Sequence, residues 1–451
     1  SCASTWHGKA VPLYPMGLVA IVGRPNVGKS TLFNRIIEER HAIVEGEPGV
    51  TRDRLYGKAE WAGKTFHLVD TGGIVPDSDD VFEKAIREQA MLAIDEADVI
   101  IFAVDGRDGL TPIDAEIGAL LRSSRKPVVV VVNKCDNATA DLNASEFYAL
   151  GLGDPFPISA LNGRSTGDFL DAVVADLKPE SNEEDTRLKI AIVGRPNVGK
   201  SSLTNALLGK DRMVVTPIAG TTRDAIDSVL TYYGEQIVLI DTAGLRRRSQ
   251  IKESVELYST MRTSRAIDRC DVAIVVIDAT QGLEAQDKRI ISEVEAARKG
   301  IIIAINKWDL IEKDTKTADA FVAKIHEDLP TMDYAPVVTI SAVTKQRITK
   351  LVEMAKKIQE RRCVRIPTHE LNEELIAMLE RTPPPSVKAR DLRINYVTQV
   401  KTEPPLFAFF LNFPELLPDS YKRFIERQLR KLHDFEGVPI SFVFRKKNSR
   451  E

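Results

Sequence analysis

Short, unbroken apolar runs recur through the first two thirds of the chain, and each ends at a glycine or a polar turn. "LVAIV" and "KIAIV" lead into glycine-rich loops, and "FHLVD" and "IVLID" end on an aspartate. "DVIIFAVD" and "DVAIVVID" follow, then "VVVVVN" and "IIIAIN". Apolar runs without alternation suit strands covered on both faces, as in a mostly parallel sheet with helices on either side. Intervening stretches such as "SDDVFEKAIREQAMLAIDEA" carry apolar residues at helical spacing. The pattern predicts an α/β fold with ligands at the carboxyl ends of the strands. After Glu360 the rhythm changes. A helix ("THELNEELIAMLERT") stops at "PPPS", two strand-like runs follow ("RINYVTQVK", "LFAFFLNF"), then a helix ("DSYKRFIERQLRKL") and a last strand ("ISFVFR"). That α-β-β-α-β order predicts a small α+β domain.

The rhythm is also a duplication. "IVGRPNVGKS" at Ile21–Ser30 returns unchanged at Ile192–Ser201. "GVTRD" (Gly49–Asp53) returns as "GTTRD" (Gly220–Asp224), and "DTGG" (Asp70–Gly73) as "DTAG" (Asp241–Gly244). "NKCD" (Asn133–Asp136) returns as "NKWD" (Asn306–Asp309), and "ISA" at Ile158–Ala160 returns at Ile340–Ala342. Five blocks in one order, at so long a period, indicate duplicated domains and not a solenoid of short repeats. The expected layout is a first α/β domain at 16–177, an acidic linker at 178–187 ("KPESNEEDTR"), a second α/β domain at 188–359, an α+β domain at 360–446 and a tail at 447–451. Residues 1–15 lack the apolar segment of a signal peptide and read as an extension or tag outside the fold.

Composition changes this picture little. A length of 451 residues fits three domains at ~100–200 residues each. The 43% apolar and 28% charged fractions suit a soluble globular protein. Four cysteines without a C-x-x-C pair argue against a disulfide framework or zinc site and fit a reducing cytosol. The longest apolar runs fall far short of the ~20 residues that span a bilayer. The net charge of −3 is uneven: from Arg361 onward seventeen Lys/Arg face twelve Asp/Glu. That excess either hints at nucleic acid or is a solvated surface.

The repeated blocks carry the chemistry. "GRPNVGKS" satisfies G-x-x-x-x-G-K-[ST], so Gly23, Arg24, Pro25, Asn26, Val27, Gly28, Lys29 and Ser30 form a candidate phosphate cradle. Its glycines let backbone N–H groups point at phosphate oxygens, and the following helix adds its positive end. Lys29 reaches the β/γ-phosphates, and Ser30 offers a hydroxyl to Mg²⁺. Gly194, Arg195, Pro196, Asn197, Val198, Gly199, Lys200 and Ser201 repeat the set. Asp70 and Asp241 end strands, where a carboxylate holds Mg²⁺ directly or through water. The loops after them (Thr71, Gly72, Gly73, Ile74; Thr242, Ala243, Gly244, Leu245) bring Gly73 and Gly244 N–H groups toward a γ-phosphate. Thr51 and Thr222 complete the Mg²⁺ shell only when that phosphate is present, which makes their loops switches. The candidate catalytic residues are therefore Lys29, Thr51 and Gly73, with Lys200, Thr222 and Gly244.

The base reader is the discriminating block. In Asn133-Lys134-Cys135-Asp136 and Asn306-Lys307-Trp308-Asp309, the aspartate accepts two hydrogen bonds from guanine N1–H and its exocyclic amine. Adenine has no such donor pair, so guanine is the predicted base, by ~10⁴-fold or more. Ser159-Ala160 and Ser341-Ala342 supply backbone contact to guanine O6, while Cys135 and Trp308 read as packing residues. The histidines show no metal-ligand spacing, and no Ser-His-Asp set is present.

Together the five blocks resemble those of P-loop GTPases of the translation-factor class. Two such domains followed by a short α+β domain are similar to the bacterial tandem-G-domain GTPases that assist assembly of the large ribosomal subunit. The likeness covers about Met16 to Arg445 and includes "PPPSVKAR", "YVTQVKTEPP" and "PDSYKRF". It implies two G domains with mostly parallel sheets, a KH-like third domain, GTP as substrate and Mg²⁺ as cofactor. It implies a monomeric cytoplasmic enzyme that meets the large subunit or its precursor, rRNA included, and no membrane. It also implies potassium, because Asn26 and Asn197 match the asparagine that contacts K⁺ in similar GTPases; the other reading is that they only shape the turn. Ile74 and Leu245 stand where Ras-like enzymes carry a water-orienting glutamine, so intrinsic turnover is expected to be slow. Ala219 stands where the first copy has Pro48, which is expected to loosen the second switch loop slightly. No Gly-x-x-Gly clamp occurs after Arg361, so single-strand binding in the KH manner is not expected of the third domain, whose sheet could instead pack against a G domain and transmit nucleotide state. "LRRRSQ" (Leu245–Gln250) either meets rRNA phosphates or is a solvated loop. Two rivals stand beside this reading: a GTPase linked to tRNA modification, and a nucleotide sensor with one active G domain.

Overall fold

Residues 17–38, 56–70, 91, 94, 97–124, 126–177, 186–209, 214–217, 227–241, 255–312, 317–385, 387 and 390–446 are described by a computed structural model. The backbone divides into two units, one of Ser1–Glu184 with Ile251–Met261, the other of Asp185–Gln250 with Arg262–Glu451.

In the first unit the apolar runs form β1 (Gly17–Val22), β3 (Lys64–Asp70), β4 (Val99–Asp105) and β5 (Val128–Asn133). Two further strands, β2 (Tyr56–Trp61) and β6 (Phe156–Pro157), lie at the edges of a sheet ordered β2-β3-β1-β4-β5-β6. All neighbours are parallel except β2 with β3. Helices α1 (Lys29–Glu38), α2 (Pro112–Ser124) and α3 (Thr166–Asp176) belong to the same unit. Every residue of β4 is buried, and separate apolar clusters line the two sides of the sheet. That two-sided burial is why the strand sequences are continuous apolar runs. The chain leaves β1 between β3 and β4, at the point where strand order reverses, and this is where open α/β sheets bind ligands.

The second repeat follows the same plan with β7 (Leu188–Val193), α4 (Lys200–Leu208), β8 (Val214–Pro217), β9 (Ser228–Tyr232), β10 (Glu235–Ile240), α5 (Val255–Arg269, of which the residues from Arg262 on belong to the second unit), β11 (Val272–Asp278), α6 (Ala285–Ala296), β12 (Gly300–Asn306), α7 (Thr317–Asp328), β13 (Val337–Thr339) and α8 (Ile348–Cys363). The sheet order is β13-β12-β11-β7-β10-β9-β8, with β8 and β9 antiparallel to their neighbours.

The C-terminal segment follows the order expected of it. Helix α9 starts at Thr368–Glu370, widens into a π-helical stretch at Leu371–Ile376 and ends in an α-helical turn at Ala377–Arg381. Then come β14 (Ile394–Lys401), β15 (Leu406–Leu411), α10 (Asp419–Leu432) and β16 (Ser441–Lys446). The apolar "LFAFFL" is the central strand, and Phe407 and Phe409 are fully buried, so core packing accounts for it. One apolar core runs without a break from the second α/β domain through α8 into this domain. Backbone hydrogen bonds from the loop after α10 help to dock it. Gly437 N–H donates to Tyr334 O at 2.7 Å, and Ile301 N–H donates to Gly437 O at 2.9 Å. The Arg430 guanidinium lies 4.0 Å above the Tyr334 ring, a cation–π contact. Among the described residues no helix is long and apolar enough to cross a membrane.

Candidate functional site

Both glycine-rich loops sit at the carboxyl end of their sheets, and each is tight for a steric reason. Gly23 and Gly194 have φ of +156° and +146°, and a Cβ there would lie 2.2 Å from Ala103 O and 2.5 Å from Val276 O. Those obstacles are backbone atoms of the neighbouring strand and cannot move aside. Gly28 and Gly199 precede α1 and α4, and a Cβ on either would strike the amide of Asn133 or Asn306 at 2.3 and 2.2 Å.

Those two amides are braces. Asn133 Nδ2 donates to Val27 O at 2.8 Å, and its Oδ1 accepts from Ala160 N–H at 3.0 Å. Asn306 does the same with Val198 O at 2.8 Å and Ala342 N–H at 3.0 Å. One side chain thus joins the phosphate loop, the base-reader loop and the Ser-Ala loop. The first asparagine of each base reader thus fixes this geometry through one bond at each end of its amide.

Lys29 is only 6% exposed and donates from Nζ to Gly23 O and Arg24 O, each at 2.8 Å. Lys200 repeats this to Gly194 O at 2.5 Å and Arg195 O at 2.7 Å. The ammonium groups close each loop upon itself at the cradle. Burial brings the Lys29 ammonium down to about 8, against the pull of Asp70. A buried cation held by loop carbonyls is a ready site for an anion.

Ser30 donates from Oγ to Asp70 Oδ2 at 2.6 Å. A hydroxyl and a fully buried carboxylate meet at the rim of the cradle, a hard-oxygen donor set that fits Mg²⁺. In the second copy Asp241 lies one residue past β10, at φ +58°, and its N–H is held by Asp227 Oδ1 at 2.9 Å. Thr51, Thr71, Gly72, Gly73, Ile74, Thr222, Thr242, Ala243, Gly244 and Leu245 lie outside the described residues, as do Pro48, Ala219 and the rest of "LRRRSQ".

The base readers are pinned alike. Cys135 N–H donates to Ile158 O and Trp308 N–H to Ile340 O, at 2.9 and 3.1 Å. Lys134 and Lys307 adopt left-handed φ of +68° and +62° and reach Asp105 and Asp278 at 2.5 Å. Cys135 is fully buried, with its thiol pushed up to about 11 by that burial. Trp308 packs edge-on against Phe321. Asp136 accepts from Ser159 Oγ at 2.8 Å, while Asp309 is exposed. Ser159, Ala160, Ser341 and Ala342 are buried beside these loops.

Two functional features escaped the motif reading. Arg24 and Arg195 turn their side chains away to carboxylates: Arg24 to Asp108 at 2.7 Å and Asp114 at 3.4 Å, Arg195 to Glu284 at 2.9 Å and Asp287 at 3.1 Å. Asp114 and Asp287 are fully buried and also cap their helices, through Thr111 N–H and Glu284 N–H. The spacings Thr111-x-x-Asp114 and Glu284-x-x-Asp287 are the signal that would have found them. Burial raises the Asp287 carboxyl above its ordinary range. The second feature is Arg107, whose Nη2 donates to Asp136 Oδ2 at 2.5 Å.

Comparison with known proteins decides the family. The model for 50S ribosome-binding GTPases matches residues 18–134 and again 189–307. The model for the KH-domain-like C-terminal region of EngA bacterial GTPase enzymes matches 365–445. GTPase Der of Amoebophilus asiaticus (strain 5a2) is 51% identical over 95% of this chain and 99% of its own length. GTPase Der of Chloroflexus aggregans (strain MD-66 / DSM 9485) is 52% identical over 97% of this chain and 99% of its own. The chain belongs to the Der (EngA) family of GTPases. It carries two tandem GTPase domains with mostly parallel sheets and a KH-like C-terminal domain. Like other Der GTPases it hydrolyses GTP, and Mg²⁺ is the usual companion of that reaction in P-loop GTPases.

Proposed function

We propose that this Der-family GTPase is a nucleotide-dependent switch in assembly of the large ribosomal subunit, working in the cytoplasm as a monomer on the subunit or its precursor, rRNA included. The observation that carries this reading is the pairing, twice in one chain, of a closed phosphate loop with a braced base reader. The description of the matching family as 50S ribosome-binding GTPases supports the choice of partner. Likeness to Der relatives over 95% of the chain favours it over a GTPase of tRNA modification.

In this reading Gly23–Ser30 and Gly194–Ser201 cradle the triphosphate, and Lys29 and Lys200 leave their loop carbonyls for the β/γ-oxygens. Asp136 and Asp309 select guanine, with the Ser159-Ala160 and Ser341-Ala342 loops at O6. Bound Mg²⁺ neutralises charge on the β- and γ-phosphates. Ser30 with Asp70, and Ser201 with Asp241, would hold it, and Thr51 and Thr222 would complete the shell when GTP is present. Gly73 and Gly244 N–H groups orient the γ-phosphate, and the aliphatic Ile74 and Leu245 leave turnover slow. The domains divide at 178–187 and near residue 360, so that two sites allow up to four nucleotide states. Sedimentation with ribosomal subunits tests the switch. Co-migration with the large subunit or its precursor is expected to differ between GDP and a non-hydrolysable GTP analogue; migration that ignores the nucleotide removes the proposal.

Asn26 and Asn197 are exposed in the phosphate loops at φ of +65° and +64°. Asparagine tolerates that backbone, and the turn leaves each amide oxygen open to solvent for K⁺. GTP hydrolysis is expected to run several-fold faster in KCl than in NaCl at equal ionic strength. Equal rates remove the potassium role and leave the turn as the reason for asparagine.

A further inference from the structure

The two base readers are not equivalent, and the difference lies in the loop after β4 in the first copy and after β11 in the second. In the first copy Gly106 N–H donates to Asn133 O at 2.8 Å and Arg107 N–H to Asp105 Oδ1 at 2.9 Å. In the second, Ala279 N–H donates to Asn306 O at 2.9 Å and Thr280 N–H to Asp278 Oδ1 at 2.9 Å. These matching backbone bonds put Arg107 and Thr280 at the same place. Their side chains differ in reach. Thr280 Oγ1 turns back to Asp278 Oδ1 at 2.7 Å. Arg107 extends to Asp136 Oδ2 at 2.5 Å, while Ser159 Oγ and Asn162 Nδ2 take Oδ1 at 2.8 and 3.3 Å. Both oxygens of Asp136 are therefore engaged. Among the described residues no side chain bonds to Asp309.

A guanidinium is a planar array of N–H donors, and guanine offers a carboxylate the same kind of edge through N1–H and its amine. We propose that Arg107 occupies the Asp136 carboxylate in place of guanine and weakens guanine-nucleotide binding at the first site relative to the second. This rests on the reading of Asp136 as a base reader. Guanine must displace Arg107 before it is held, whereas Asp309 is open. The Arg107 bond also keeps the Asp136 carboxyl below the usual carboxylate range, so the acceptor stays ionised for whichever donor wins. Arg107 is 65% exposed, and exposed pairs are screened by water and salt, so the handicap is modest, about fivefold in affinity. With GDP scarce, the second site fills first.

The test is titration of a fluorescent GDP analogue against full-length protein. With Lys200→Ala silencing the second site, Arg107→Thr is expected to lower the first-site Kd about fivefold. With Lys29→Ala silencing the first, Thr280→Arg is expected to raise the second-site Kd by a similar factor. Movement in only one of the two variants, in neither, or in the opposite direction overturns the proposal. Asp136→Asn separates this from the underlying reading. If it leaves guanine binding intact, Asp136 is not a base reader. If it abolishes binding while Arg107→Thr changes nothing, the base reader stands and the competing arginine does not.

Discussion

Lys29→Ala and Lys200→Ala are each expected to silence one of two turnover centres, and the double variant is expected to lose GTP hydrolysis by about a hundred- to a thousandfold. That magnitude is what removal of one preorganised charge-stabilising donor costs phosphoryl or acyl transfer. The location of each ammonium sets the expectation. Lys29 and Lys200 are almost fully enclosed, and each donates to two carbonyls of its own loop. The arginines of the same loops do not replace them there, because Arg24 and Arg195 are committed to Asp114 and Asp287. The fold is not the casualty, since alanine removes a desolvated cation whose burial is itself unfavourable, as the depressed Lys29 ammonium indicates. Single-turnover assays with two equivalents of GTP read the result as amplitude. Each single variant keeps the phase of the intact site, and the double variant keeps neither. A single variant that releases both equivalents at the parental rate shows that its lysine is not needed for turnover, and supports a chain with one hydrolytic domain.

The phosphate loops were legible because their chemistry forces residue types at fixed offsets. A carbonyl 2.2 Å from a Cβ position allows only Gly23, and the same constraint recurs at Gly194. Strand identity was legible because two-sided burial leaves no polar alternation in β4 or β11. What escaped depends on distances that no local spacing encodes. The Asn133 and Asn306 braces join three loops more than 20 residues apart in each copy. Arg107 meets Asp136 only because β4 and β5 are neighbours that end side by side. Docking of the KH-like domain joins its core, β15 included, to that of the second α/β domain, and backbone bonds that no motif encodes add to it. The backbone around Gly437 was free to pair with Ile301 and Tyr334. The π-helical widening of α9 leaves no mark in an apolar pattern that suits an ordinary helix.

Replacing Asp136 and Asp309 by asparagine is expected to produce the largest change of specificity. The carboxylate accepts from both guanine N1–H and the exocyclic amine. Asparagine keeps one acceptor and turns the other into a donor, which faces the amine donor to donor. A site built to accept two bonds rejects a ligand that cannot supply them by ~10⁴-fold, so guanine affinity is expected to fall by about that much at each altered site. Xanthine carries a carbonyl where guanine carries the amine, and its affinity is expected to rise by a comparable factor. The substitution is nearly isosteric, and at Asp136 the retained oxygen still accepts from Ser159 Oγ and Asn162 Nδ2. The loop is fixed by backbone bonds from Cys135 to Ile158 and from Trp308 to Ile340, which the exchange leaves alone. Binding is read by calorimetry with GDP, xanthosine diphosphate and ADP on the two single variants and the double variant. The double variant is expected to bind two equivalents of the xanthine nucleotide and almost no GDP. If GDP still binds at parental affinity, or if ADP gains where xanthosine diphosphate does not, the carboxylates do not read the base and the two pockets select their nucleotide by other contacts.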